Sequence, residues 1–107
     1  MPQSASETSK ITFHPDDRFV INPLFMFRWE ETQNAHVLLY PEGVVKLNQT
    51  AGEILKCCDG EQTLQTMTES LKNIFSAGGA PSHAQIEDGI IKFLEVSHAK
   101  GWIRRKA

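Results

Sequence analysis

The stretch Leu38-Leu39-Tyr40-Pro41-Glu42-Gly43-Val44-Val45-Lys46-Leu47-Asn48 reads as strand, tight turn, strand and helix cap. Proline presets the dihedral of the second turn position. Tyr40-Pro41-Glu42-Gly43 therefore fits a type I turn, with Gly43 able to take positive φ as a bulge. The strand that follows, Val44 to Leu47, is expected to keep one edge unpaired. A free strand edge can take up an extended segment of another chain.

Upstream of this hairpin, Leu24 to Gln33 is expected to be a strand. Phe25, Phe27 and Trp29 alternate there with Met26, Arg28 and Glu30, the period of a half-buried strand. Thr32 to Ala35 is a polar turn, and His36 to Tyr40 is the next strand. The three strands form an antiparallel meander.

Downstream, Asn48 caps a helix whose Ala51, Ile54, Leu55 and Cys58 share one face. Asp59-Gly60 is expected to end it, glycine supplying the left-handed stop. Thr63 caps a second helix with Leu64, Met67, Leu71, Ile74 and Phe75 on one face. Gly78-Gly79-Ala80-Pro81 breaks the chain. Ser82 and Gln85 form a capping box for a third helix running to about Lys100. Gly101 ends that helix, and Trp102-Ile103 packs back as a short strand or tail.

The expected fold class is thus α+β and winged-helix-like: a three-stranded antiparallel sheet, then three helices, β-β-β-α-α-α. Residues 1–12 are polar, without aromatics, and are expected to be a disordered tail. Residues 13–107 form a single domain, as the total of 107 residues suggests.

Composition narrows the function. The 11 basic and 13 acidic residues give −2, no electrostatic footprint for nucleic acid. No secretory signal and no membrane-spanning run is present, so a cytoplasmic protein with no membrane partner is expected. Cys57 and Cys58 are neighbours, which point about 100° apart on a helix and suit reduced thiols. The four histidines are scattered outside any metal-ligand spacing, and no phosphate loop or catalytic constellation is legible. No metal, no cofactor and no enzymatic activity are expected; the chain reads as a binding module.

Two binding classes compete. A winged helix-turn-helix regulator would need basic side chains on its recognition helix. The third helix instead carries Glu87, Asp88 and Glu95 against Lys92 and Lys100. The other class is peptide recognition by strand addition, with apolar pockets on a neighbouring helix. The third helix has a wide apolar sector. Ile86, Ile90, Phe93, Leu94 and Ser97 make one stripe, and Ile91, Leu94 and His98 an adjoining one.

Arg28-Trp29-Glu30-Glu31, Leu38 to Gly43, Lys46-Leu47-Asn48, Ala51, Ile54-Leu55, Cys58-Asp59-Gly60 and Gly101-Trp102 together resemble the pyrroloquinoline quinone biosynthesis protein D family, PqqD. The match covers roughly residues 15–104; the departure is Cys57, where an aliphatic residue is more usual. The resemblance implies a peptide chaperone that binds the precursor peptide PqqA. It presents that peptide to the radical S-adenosylmethionine enzyme PqqE and holds no cofactor itself. It also implies that the peptide adds beside the third strand, against the third helix. The strand edge then falls on Val44, Val45, Lys46 and Leu47. Helical spacing selects Ile91, Leu94, Glu95 and His98 as the helix wall. Lys46 has two open roles, guarding the edge against aggregation or pairing with an acidic peptide side chain. A free edge can also pair with a second copy, as a homodimer.

Overall fold

In the computed structural model, residues 13–76 and 83–106 are described. Their strands are β1 (Arg18–Ile21), β2 (Met26–Glu30), β3 (Ala35–Tyr40), β4 (Gly43–Lys46), β5 (Asp59–Thr63) and β6 (Ile103–Arg105). Their helices are α1 (Gln49–Lys56), α2 (Leu64–Ser76) and α3 (His83–Ala99). The strands form two antiparallel sheets, ordered β5-β1-β6 and β2-β3-β4.

The α+β class stands, but the expected order of three strands followed by three helices does not. β1 precedes the meander, β5 separates α1 from α2, and β6 closes the chain. The sequence hid β5 because Asp-Gly-Glu-Gln-Thr has almost no strand propensity. It is extended because β1 pairs with it on one side and with β6 on the other. The proposed tail and the Ser82 capping box lie outside the described residues.

The helix caps follow the sequence closely. Asn48 Oδ1 accepts from the Ala51 N–H at 2.7 Å, and Thr63 Oγ1 accepts from the Thr66 N–H at 3.1 Å. Two further orphan donors of α2 are satisfied from the N-terminal turn. Leu64 N–H donates to the Asp17 carbonyl at 2.7 Å and Gln65 N–H to that of Pro15 at 3.0 Å. At the end of α3, Gly101 takes φ +80°. The Trp102 N–H reaches back to the Ser97 carbonyl and the Gly101 N–H to that of His98, a Schellman motif.

Two glycines depart from expectation. Gly43 is not among the residues with positive φ, so the hairpin turns without a bulge there. Gly60 does take φ +81°, but inside β5 and not as the stop of α1, which ends at Cys57. A Cβ on Gly60 would stand 2.9 Å from Val20 Cγ1, so glycine lets β5 approach β1.

The core runs through both sheets and all three helices. Phe19, Leu38, Ile54, Leu55, Met67, Leu71, Ile90, Leu94 and Ile103 are its largest buried members. Among the described residues one buried side-chain polar atom lacks a hydrogen-bond partner, the Oγ of fully buried Ser97. An unsatisfied buried hydroxyl carries its full desolvation cost. Ser97→Ala is therefore expected to raise the free energy of unfolding by about 1 kcal/mol in urea titration. A loss of stability would show that the hydroxyl is bonded after all.

Candidate functional site

Sheet β2-β3-β4 has β4 at its edge. Its register pairs Val37 with Lys46, Leu38 with Val45, Leu39 with Val44 and Tyr40 with Gly43. The Leu47 N–H continues this ladder by donating to the His36 carbonyl at 3.0 Å. Antiparallel pairs alternate between hydrogen-bonded and non-bonded. Gly43, Val45 and Leu47 therefore turn their backbone groups toward β3. Val44 and Lys46 turn theirs outward, so the free edge offers the N–H and C=O of these two residues.

The side chains of β4 divide the other way. Val45 and Leu47 face the core, Leu47 being buried and Val45 half-buried. Val44 and Lys46 stand on the outer face of the sheet. Register places Met26, Leu39 and Val44 in one row across that face, and Arg28, Val37 and Lys46 in the next. Val44 is 58% and Met26 57% exposed, whereas Val37 between the two cations is 1% exposed.

Among the three helices lies an apolar groove of about 330 Å³, lined by Thr50 and Ile54 of α1, Phe75 of α2, and Gln85, Ile86, Gly89, Ile90 and Phe93 of α3. Its α1 wall begins at Thr50, four residues beyond Lys46 in the chain. A larger cleft of about 630 Å³ opens at the β2–β3 turn, between Trp29, His36 and α1. Lys46 and Leu47 line it too, and Gln33, Asn34, Asn48, Gln49, Glu53 and Lys56 give it a mixed polar and apolar wall. Glu53 and Lys56 are already paired at 3.5 Å. The smaller groove is the better host for apolar side chains.

The helix residues chosen from sequence are placed elsewhere. Leu94 is 0% exposed and belongs to the core, so nothing outside the protein can touch it without opening the fold. Ile91 faces the opposite side of α3, in a cleft shared with Pro15, Leu64, Thr68 and Lys72. The His98 ring packs edge-on to Phe13 at 5.9 Å. Glu95 is half-buried on that same face by its spacing. The face of α3 that lines the 330 Å³ groove is Ile86, Gly89, Ile90 and Phe93. The available signal was Gly89, a bare position between Ile86 and Phe93. A Cβ there would meet nothing within 4 Å.

The thiols are sealed. Cys58 Sγ donates to the Ile54 carbonyl at 3.6 Å, and burial, with Cys57 and Asp59 adding, pushes its pKa up to about 12. Burial, then Asp59, also raises Cys57. The thiolate is the reactive form. Neither cysteine is expected to react with iodoacetamide at pH 8 in the folded protein, while both label in urea. A raised thiol pKa means that the folded state holds its proton longer. The stability from Cys58 is thus whole below the ordinary value of 9.0 and is lost as pH rises toward 12. Among the described residues no group of three or more His, Cys, Asp or Glu could hold a metal, and no helix is long and apolar enough to cross a membrane.

Residues 35–103 match the family described as Coenzyme PQQ synthesis protein D, PqqD. The chain belongs to the PqqD family. It is 37% identical over 94 residues to a PqqA binding protein of Methylococcus capsulatus, covering 88% of this chain and 95% of that protein. It is 47% identical over 79 residues to a PqqA binding protein of Pseudomonas aeruginosa, covering 74% of this chain and 80% of that one. Among solved structures it is similar to the PqqD portion of Methylobacterium extorquens PqqCD, at TM-score 0.66 and 28% identity over 88% of this chain and 96% of that one. That domain is described as a functional, stand-alone recognition element for ribosomally synthesized and post-translationally modified peptides. It is also similar to part of the heterocyclase TruD, at TM-score 0.59 and 25% identity, over 85% of this chain and 12% of that one.

Proposed function

We propose that this PqqD family member is a cytoplasmic, non-catalytic peptide chaperone of pyrroloquinoline quinone synthesis that binds PqqA by strand addition. The observation that carries the reading is β4, an edge strand whose outer side no described strand pairs, in a chain that also holds an apolar groove among its helices and whose relatives are PqqA binding proteins. The peptide lies extended along β4 and exchanges backbone hydrogen bonds with Val44 and Lys46. Its apolar side chains enter the groove between α1 and α3, against Ile86, Gly89 and Phe93. Main-chain bonds give register, and a few buried anchors give most of the affinity. Ordering a flexible peptide costs about 2–5 kcal/mol of the gross interaction.

The reading extends to presentation of the peptide to the radical enzyme PqqE. Its support is that the same fold occurs joined to larger proteins, in PqqCD and in the heterocyclase TruD. A winged-helix DNA regulator has less in its favour. On α3, Asp88 engages Lys92 at 3.6 Å, and Glu87 takes up Lys72 of α2 at 3.2 Å. With Glu95 besides, α3 offers a phosphate backbone no net positive charge.

The test is an NMR titration of the labelled protein with synthetic Methylococcus capsulatus PqqA. Amides of Val44 to Leu47, Thr50 and Ile86 to Phe93 are expected to shift. Shifts confined to the Ile91, Glu95 and His98 face, or binding to a DNA duplex in place of the peptide, would overturn the reading.

A further inference from the structure

We infer, on the basis that the peptide adds to β4 as proposed above, that the segment pairing with this edge reads acidic, apolar, apolar from its N-terminus. The acid sits opposite Lys46 and the last apolar residue opposite Val44. Each position follows from what the edge presents.

Residues directly opposite one another across an antiparallel pair have neighbouring side chains on the same face. An added strand therefore continues the two rows on the outer face. The first row is Arg28, Val37 and Lys46. Arg28 lies 3.8 Å from Glu30, while Lys46 has no ion pair or hydrogen bond among the described residues. A cation placed next in that row would face Lys46 directly, with Arg28 two strands away. An acid there gives Lys46 a partner. The second row is Met26, Leu39 and Val44, and Leu24 is 69% exposed beside it in a shallow cleft with Met26 and Leu39. An apolar side chain opposite Val44 lengthens this row and covers its exposed end.

The middle position is opposite Val45, whose side chain faces inward with Leu38. Its peptide neighbour must turn the same way, toward the core face of the sheet that Leu38 occupies. Only an apolar residue gains by that burial.

The order of the triplet follows from the strand direction. Antiparallel pairs are the more stable, and every pair in this sheet is antiparallel. The peptide then meets Lys46 before Val44. Lys46 is thus a specificity-determining residue for the register of the peptide.

The experiment uses synthetic Methylococcus capsulatus PqqA, with each Asp and Glu replaced singly by its amide, titrated calorimetrically against wild-type protein and Lys46→Gln. One acidic position, followed by two apolar residues, is expected to lose about three- to fivefold in affinity on wild type and nothing further on Lys46→Gln. Lysine at that peptide position is expected to recover binding to Lys46→Glu. The triplet is overturned if no acid couples to Lys46, or if the coupled acid follows the apolar pair. A Val44→Pro control separates the two levels. If it abolishes binding while no acid couples, only the triplet fails; if it leaves binding unchanged, strand addition itself fails.

Discussion

Val44→Pro is expected to weaken PqqA binding by roughly tenfold or more while leaving the fold intact, whereas Val45→Pro is expected to unfold it. The difference lies in where each N–H points. The Val44 N–H faces outward from the sheet edge, and proline there removes a donor that no intramolecular bond uses. The peptide carbonyl it would have met is left without a partner, which costs about 1–3 kcal/mol when buried. The Val45 N–H faces Leu38 across the ladder, in a hydrogen-bonded pair. Proline at Val45 breaks that bond inside the core sheet. Calorimetry with the peptide and a thermal melt of each variant check the pair. Equal loss of binding by Val44→Pro and by a surface substitution on α2 would remove β4 from the site.

Leu94→Ala is expected to lower stability by about 3–5 kcal/mol in urea titration. Leu94 is fully buried in the one core that joins the sheets and helices, so the truncation leaves a cavity. That is a large share of the roughly 5–15 kcal/mol that a domain possesses. Peptide affinity, measured where the variant remains folded, should change by less than about threefold, since Leu94 touches no open surface. Phe93→Ala is the converse. Phe93 is half-buried on the groove, so its loss should cost roughly tenfold in peptide affinity and only about 1 kcal/mol in stability. Should Leu94→Ala abolish binding in a fully folded protein, the assignment of the groove face would be wrong.

These two residues are adjacent, and the sequence could not tell them apart. Ile86, Ile90, Ile91, Phe93 and Leu94 spread over more than half of α3, so the helical period defines an apolar sector and not a single seam. The character of the cleft on each side of the sector depends on what packs against it. Thr68, Lys72 and Pro15 stand across from Ile91, and Thr50, Ile54 and Phe75 stand across the groove from Ile86 and Phe93. That choice is made by residues distant in the chain. The edge was more legible, because Pro41 and Gly43 set the hairpin and the next helix cap follows at once.

The local elements were legible in the chain: the β3–β4 hairpin, the caps at Asn48 and Thr63, the Gly101 stop and the presence of three helices, though not the end of α1. Each depends on contacts within about four residues, where side-chain chemistry and backbone dihedrals act directly. The PqqD motifs are legible for the same reason. Only the tertiary structure decided that β1, β5 and β6 form a second sheet, since pairing with β1 makes a strand of Asp59–Thr63 against its own propensity. What stands across the cleft on each face of α3 was likewise settled by the tertiary structure, through residues distant in the chain. The outward direction of the Val44 and Lys46 backbone groups was decided there too, because ladder alternation needs the register of β3 beside β4.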